Sequence, residues 1–413
     1  MRKAIYFCVA GILSMLAIFA FLLHPRGRRR LYERFGFWHV PPGRYVWLHG
    51  ASVGELRGVL ALEEWIREHH NHPKILLTSF SITGIETFQD RADVCRLLPF
   101  DWLPCVLFAL RGIAIERFYF GETEVWPTLF GVLRKRNTEM ILVNGRMEER
   151  SFVWYQRLRL WFGPALQSLT KLCVASKEAS ERFTKLGVSV ERIRVTGNSK
   201  YDREPLYRSD IERRSRRDSL FQSHRIVVTL GSIHPEEELI WLNALLPLRN
   251  SFLFVLCPRH LEKRDRFVSS LDSLGFVSEW YSCIKSQALP VKDETEVLLC
   301  DTFGELEMFY SVSDLGFVGG TLVPIGGHNP LEPALYGIPI CVGPYIEKIQ
   351  YEVEYLQKSC AITMLCSPDD ARKLLERLLA KDEELMSQGV RAKRVCEELR
   401  GALKREIAFL EGR

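Results

Sequence analysis

The sequence predicts an α/β protein built from two doubly wound, parallel-sheet domains. Three observations carry that expectation. Short apolar runs alternate with longer amphipathic ones along most of the chain, which is the rhythm of βα units. The rhythm lapses at Asp202–His224, where Arg, Asp and Ser dominate, and restarts at Ile226. At 413 residues the chain is also too long for one ordinary core.

In the first half the expected strands are Tyr45–Leu48, Ile75–Thr78, Phe118–Phe120, Met140–Val143, Leu172–Ala175 and Ile193–Thr196. Leu56–His69 and Glu178–Leu186 read as helices between them, the second stopped by Gly187. In the second half the strands are Ile226–Leu230, Phe252–Leu256, Val297–Leu299, Leu315–Val318 and Ile338–Val342. Glu236–Leu245 and Glu305–Tyr310 read as helices, and the charged tail Pro368–Arg413 as helical. The expected organisation is an anchor at 4–23, a first domain at 30–205, a linker at 206–223, a second domain at 224–385 and a C-terminal helix at 386–413.

The anchor is the run Ala4–Leu23, apolar over about 20 residues, enough for a helix to cross a bilayer. Arg2 and Lys3 precede it, and Arg26, Arg28, Arg29 and Arg30 follow. The heavier positive flank places the body of the chain on the cytoplasmic side of the membrane, with the arginines against anionic headgroups. A cleaved signal peptide is disfavoured, because no A-x-A-like site precedes His24-Pro25. Over the whole chain the charge is nearly balanced: 56 Lys+Arg against 51 Asp+Glu, a net +5. No broad basic surface is implied, which disfavours nucleic acid as a partner. The 11 cysteines are odd in number and lack a C-x-x-C pair, as in a reducing compartment without a disulfide or zinc framework.

Chemistry concentrates where strands end. Ser52-Val53-Gly54-Glu55 follows the first strand. It reads either as a capping box, with Ser52 at Ncap and Glu55 reaching back, or as a general base with Gly50 and Gly54 letting a substrate approach. Glu122 and Glu124 follow another strand, as surface charges or as groups of the site. Gly319-Gly320-Thr321 and Gly326-Gly327-His328-Asn329-Pro330-Leu331-Glu332 read as a well-capped helix start, with Asn329 at Ncap and Pro330 at N1. The glycine pairs further suggest a phosphate cradle, with Glu332 available to ribose hydroxyls. Ser232, His234, Pro258 and Arg259 follow strands of the second domain, Arg259 being suited to clamp an anion. No P-loop, H-E-x-x-H or G-x-G-x-x-G is present, and no D-x-D pair that would hold a nucleotide-sugar metal.

Taken in order, these motifs resemble the bacterial 3-deoxy-D-manno-octulosonic acid (Kdo) transferases of lipopolysaccharide assembly. The resemblance rests on His49–Glu55, Thr78–Gly84, Glu122–Pro127, Asn144-Gly145-Arg146, Thr196–Asp202, Gly231–His234, Pro258–His260 and Gly326–Pro333. It implies a GT-B fold, two Rossmann-like domains facing across a cleft. It also implies an inverting, metal-independent transferase with no cofactor, taking CMP-Kdo as donor and the lipid A precursor as acceptor. By resemblance, Glu55 is the catalytic base and Glu122 a required carboxylate. Ser232, His234, Pro258, Arg259, Gly326, Gly327, His328, Asn329 and Glu332 fall on the donor side. Ser52, Gly54, Thr83, Asn198 and Lys200 fall on the acceptor side or the cleft. The chain departs from the family pattern at Gly145 and Glu148, at Ile233 and Glu236, and in Gly343–Lys348, which lacks the usual His and Asn; these positions bear on acceptor geometry and on how many sugars are added. The competing expectations are a GT-B enzyme using a UDP-sugar and a lipid acceptor, a nucleotide-sugar epimerase, and a non-catalytic membrane scaffold.

Overall fold

In the computed structural model the described residues are 28–202, 204–207, 209–221 and 225–413, with the side chain of Lys200 excepted. The expected anchor, Ala4–Leu23, lies outside them. Among the described residues no helix is long and apolar enough to cross a membrane. The chain divides into two compact units, residues 1–202 with 399–413, and residues 203–398.

Each unit is built on a seven-stranded, all-parallel sheet. The first has the order β3-β2-β1-β4-β5-β6-β7. Its strands are β1 (Gly43–His49), β2 (Lys74–Ser79), β3 (Val94–Leu97), β4 (Ile113–Gly121), β5 (Glu139–Gly145), β6 (Lys171–Val174) and β7 (Ile193–Val195). Central strands such as β1 carry apolar residues on both faces, as strands covered on both sides must. Trp47, Phe118, Phe120 and Leu142 pack into one core cluster, and Val46, Leu48, Leu77 and Tyr119 into another.

The second sheet has the order β10-β11-β9-β8-β12-β13-β14. Its strands are β8 (Ile226–Ile233), β9 (Phe252–Pro258), β10 (Ser278–Trp280), β11 (Val297–Leu299), β12 (Leu315–Val318), β13 (Ile340–Val342) and β14 (Thr363–Met364). Trp241, Phe254, Phe317 and Leu375 share one of its core clusters. In each sheet the chain fills one side of the first strand and then crosses to the other. The switch points are β1/β4 and β8/β12, where open α/β sheets offer their loops to ligands.

The sequence reading missed β3, β10 and β14, and took only Phe118–Phe120 of the nine-residue β4. The three missed strands lie at or near sheet edges and are short and half-buried, so they lack a continuous apolar run. Residues 206–223, read as a linker, contain the helix Asp210–Leu220, with a complete capping box between Ser209 and Glu212. Its apolar signal is weak because guanidinium groups anchor it. Arg213 donates to the Ser311 carbonyl, and Arg217 forks onto Asp314.

The C-terminal segment read as one helix is two, Glu383–Leu399 and Ala402–Leu410, broken at Gly401 (φ 84°). The second belongs to the first unit. The Asp202 carboxylate accepts from the backbone N–H groups of Gly401, Ala402 and Leu403 at its start, a charge-assisted cap. Lys171 Nζ donates to the carbonyls of Phe409 and Leu410 at its end. Between them Glu406 is fully buried and accepts from Asn144 N at 3.1 Å. Burial, and secondarily the nearby Asp202, push its carboxyl up to about 8.

The sign of the resulting pH dependence is fixed. Glu406 has a folded pKa above its unfolded one. Its stabilising contribution is complete below the unfolded pKa near 4.5 and is lost as pH rises toward 8. Glu406→Gln keeps the shape and removes the proton dependence. Calorimetric scans are expected to show the variant melting roughly 2–5 °C above the wild type at pH 8, with the gap closing near pH 4.5.

Candidate active site

Glu55 lies one turn into the helix Val53–Leu60, which begins four residues after β1 ends. Ser52 caps this helix, its Oγ accepting from Glu55 N at 3.3 Å. The reciprocal half of a capping box is not made. Instead of reaching Ser52 N, Glu55 Oε2 accepts from Ala51 N at 2.8 Å, and Oε1 accepts from Ser52 Oγ at 3.0 Å. The turn is tight: a Cβ on Gly50 would stand 2.7 Å from Leu56 N, and one on Gly121 would stand 3.0 Å from Val59 Cγ2. Glycine therefore brings the ends of β1 and β4 against the helix that carries Glu55.

The segment after β4 completes an acidic cluster. Glu122 adopts a left-handed backbone (φ 55°), and its N–H donates to the Val143 carbonyl at 3.2 Å. Thr123 Oγ1 donates to the Arg146 carbonyl, and Tyr155 Oη to the Thr123 carbonyl. These contacts fix the loop that holds Glu122 and Glu124. Burial pushes the Glu55 carboxyl up, and the charges of Glu122 and Glu124 push it further, against the opposing Ala51 and Ser52 hydrogen bonds. A half-buried carboxylate at a sheet switch point, with its proton affinity raised by two anions, can serve as a general base.

Of the other residues expected in this region, Gly54 is exposed beside Ser52 in the same turn. Thr83 is exposed in the helix Ile82–Thr87, its carbonyl accepting from Thr87 Oγ1. Asn198 is buried just before the turn Ser199–Tyr201. Lys200 lies in that turn, and its side chain is outside the described residues.

In the second unit, Ser232 (φ 53°) is the penultimate residue of β8 and His234 follows the strand, and three loops pack backbone against backbone. A Cβ on Gly319 would lie 2.4 Å from Ser232 O, and one on Gly343 would lie 2.2 Å from Thr321 O. At their junction Glu237 is fully buried. Its carboxylate accepts from four backbone N–H groups, those of His234, Gly320, Thr321 and Leu322, at 2.8–3.0 Å. Of the first glycine pair, Gly320 thus presents its N–H to the protein's own carboxylate, while the Gly319 N–H donates to the Gly231 carbonyl at 2.8 Å.

Beside this junction lies a basic cluster. His234 and His328 meet Nε2 to Nε2 at 3.0 Å with parallel rings, and His260 packs edge-on against His234. Burial and the neighbouring Arg259, His234, Lys348 and His260 hold His328 down to about 4, and His234 is lowered for related reasons. Arg259 is exposed, its N–H donating to the Ile233 carbonyl, while Pro258 pairs with Ile233 at the end of β9. Gly326 and Gly327 adopt left-handed backbones (φ 96° and 86°), and a Cβ on Gly326 would stand 3.0 Å from Lys348 Cγ. Neutral imidazole N–H groups ringed by Arg259, Lys263 and Lys348 suit an anionic ligand.

The helix expected from Asn329 is only the single turn Leu331–Ala334, starting after Pro330. Asn329 Oδ1 accepts from Leu331 N at 3.0 Å, which is a local turn contact. Such a short helix has little dipole to offer, so positive charge in this loop comes from side chains. Glu332 is half-buried, close enough to the buried Tyr310 to affect its charge.

Residues 29–203 match the family model described as 3-deoxy-D-manno-octulosonic-acid transferase (kdotransferase). The chain is 31% identical to the 3-deoxy-D-manno-octulosonic acid transferase of Haemophilus influenzae, over 98% of this chain and 94% of that protein. This chain belongs to the Kdo transferase family. It is an enzyme, a glycosyltransferase. The Rickettsia bellii transferase is 28% identical over 92% of this chain and 91% of its own. Among solved structures, a glycosyltransferase from Rickettsia africae superposes with a TM-score of 0.57 at 10% identity, covering 90% of this chain and 99% of that one. Anabaena HepE with UDP gives 0.56 at 12% identity, covering 89% and 99%. These two likenesses show the fold, parallel-sheet α/β units of the GT-B kind.

Within this Kdo transferase, sequence reasoning named Glu55, His234, Arg259 and His328; it gave no site role to Lys263 or Lys348, nor to Glu237 and His49. Glu237 sits in the run Glu236-Glu237-Glu238, which reads as surface charge. His49 was seen in a motif and given no role. Glu237→Ala leaves four buried donors without their acceptor. Urea denaturation is expected to show a loss of at least ~3 kcal/mol, with Glu237→Gln losing less because one acceptor oxygen remains.

Proposed function

We propose that this Kdo transferase moves Kdo from CMP-Kdo to a lipid A precursor in lipopolysaccharide assembly, inverting the anomeric centre. Glu55 accepts the proton of the acceptor hydroxyl. That oxygen forms its bond to the anomeric carbon as the bond from this carbon to the CMP phosphate oxygen breaks. The leaving phosphate is neutralised by the second unit, by Arg259 and Lys348 and by hydrogen bonds from the His234–His328 pair. One base and one displacement give inversion. The run Ala4–Leu23 and the arginines after it hold the enzyme on the cytoplasmic face of the inner membrane, where a lipid acceptor lies.

The observation that carries this reading is the state of Glu55. It stands at the β1/β4 switch point with its proton affinity raised by burial and by Glu122 and Glu124. Its carboxylate keeps acceptor capacity beyond its Ala51 and Ser52 contacts.

Glu55→Gln separates base from cap, because its one amide oxygen can still accept from Ala51 N, its NH2 can donate to a rotated Ser52 hydroxyl, and it cannot take the proton. With CMP-Kdo and tetraacylated lipid A precursor, mass spectrometry is expected to show Kdo addition by the wild type. The variant's rate is expected to fall by about 10²–10⁴ or more at unchanged melting temperature. Turnover retained by the variant contradicts the assignment.

A further inference from the structure

His49 is the last residue of β1 and is fully buried, in register with Thr78 on β2 and Phe120 on β4. Its ring stacks against that of Phe118, with centroids 6.3 Å and planes 24° apart. Nδ1 lies 2.8 Å from Thr78 Oγ1 and 3.1 Å from the Thr78 carbonyl. Nε2 lies 3.0 Å from Glu124 Oε2. Thr78 Oγ1 already accepts from Trp47 Nε1 at 2.7 Å, so its own proton is free to go to His49 Nδ1. Nε2 then carries the ring proton and donates it to Glu124. A ring protonated only on Nδ1 would set a bare nitrogen lone pair against a carboxylate oxygen. The Glu124 contact therefore requires a proton on Nε2.

This chain of contacts ends beside the base. The charges acting on Glu55 are Glu122 and Glu124, both from the segment after β4, and its donors are Ala51 N and Ser52 Oγ. Glu124 is held from the sheet interior by His49; Glu122 is held by its backbone. We propose that His49 is a positioning residue for the transfer reaction: through the chain Trp47–Thr78–His49–Glu124 it fixes the Glu124 carboxylate where its negative charge strengthens Glu55 as a base. A sheet-interior histidine thus reaches the acceptor chemistry without touching substrate. The inference rests on Glu55 being the base, and it adds a group whose loss changes how the base titrates.

The test is the pH profile of kcat/KM for Kdo transfer from CMP-Kdo to tetraacylated lipid A precursor, in wild type, E55Q, E124Q, H49L and H49Q. Glu55 acts deprotonated, so the acid limb reports its proton affinity. Removing the charge of Glu124 lowers that affinity, and the acid limb of E124Q is expected to move down by roughly 0.5–1 pH unit. H49L releases Glu124 and is expected to move the limb the same way. H49Q keeps an N–H donor for Glu124 and is expected to return the limb toward the wild-type position. A merely structural role for His49 would lower kcat without moving the limb.

An unmoved limb in both E124Q and H49L, with E55Q inactive, overturns this inference and leaves Glu55 as the base. An upward shift in H49L also overturns it, because His49 would then be acting by its own positive charge. Turnover retained in E55Q removes the base reading and this inference with it. If H49L fails to fold, E124Q and H49Q decide: a lowered limb in the first and a retained limb in the second support the proposal, and any other pair of results contradicts it.

Discussion

A carboxylate pinned by backbone N–H groups organises the switch point of each sheet. In the second unit Glu237 is saturated by four such groups from two loops, so it binds the protein to itself. In the first unit Glu55 takes one backbone N–H and one hydroxyl, and it keeps capacity for a substrate proton. Burial raises both carboxyls. The difference between a structural and a chemical carboxylate lies in how many donors the loops supply. Glycine sets that number, because at Gly50, Gly319 and Gly343 a Cβ would collide with backbone and keep the loops apart.

The two units divide the chemistry by charge. The first gathers Glu55, Glu122 and Glu124 around the end of β1. The second gathers Arg259, Lys263, Lys348 and three histidines around the ends of β8 and β9. In the proposed reaction the acidic cluster would serve an acceptor hydroxyl that must lose a proton, and the basic cluster a donor that leaves as an anion. The C-terminal helix Ala402–Leu410 joins the acidic unit through Asp202 and the buried Glu406. It bears on Asn144 at the end of β5, so the last residues of the chain brace the same sheet edge as Glu55.

The central strands were legible in the sequence because strands buried on both faces read as unbroken apolar runs. Glu55 was legible because it follows one of them within a few residues. The edge strands β3, β10 and β14 were not, being short and half-wet. The Asn329 helix was over-read: Asn-Pro-Leu-Glu has the composition of a helix start, but the helix stops after one turn at Ala334. Glu237 and Glu406 were hidden for one reason. A charged residue in a polar run looks solvated until long-range donors, Gly320–Leu322 for one and Asn144 for the other, show where it points. Glu236, where the family usually has glycine, adopts a left-handed backbone at φ 84°, so the turn geometry is kept without the residue that favours it.

The account rests on Glu55 being a base of raised proton affinity. The most direct measurement is a 13C NMR titration of the glutamate side-chain carboxyls in the whole enzyme, with Glu55→Gln identifying the Glu55 resonance. The expected result is a Glu55 midpoint above the ordinary glutamate value near 4.5, matching the acid limb of the rate profile. A midpoint at or below that value would contradict it.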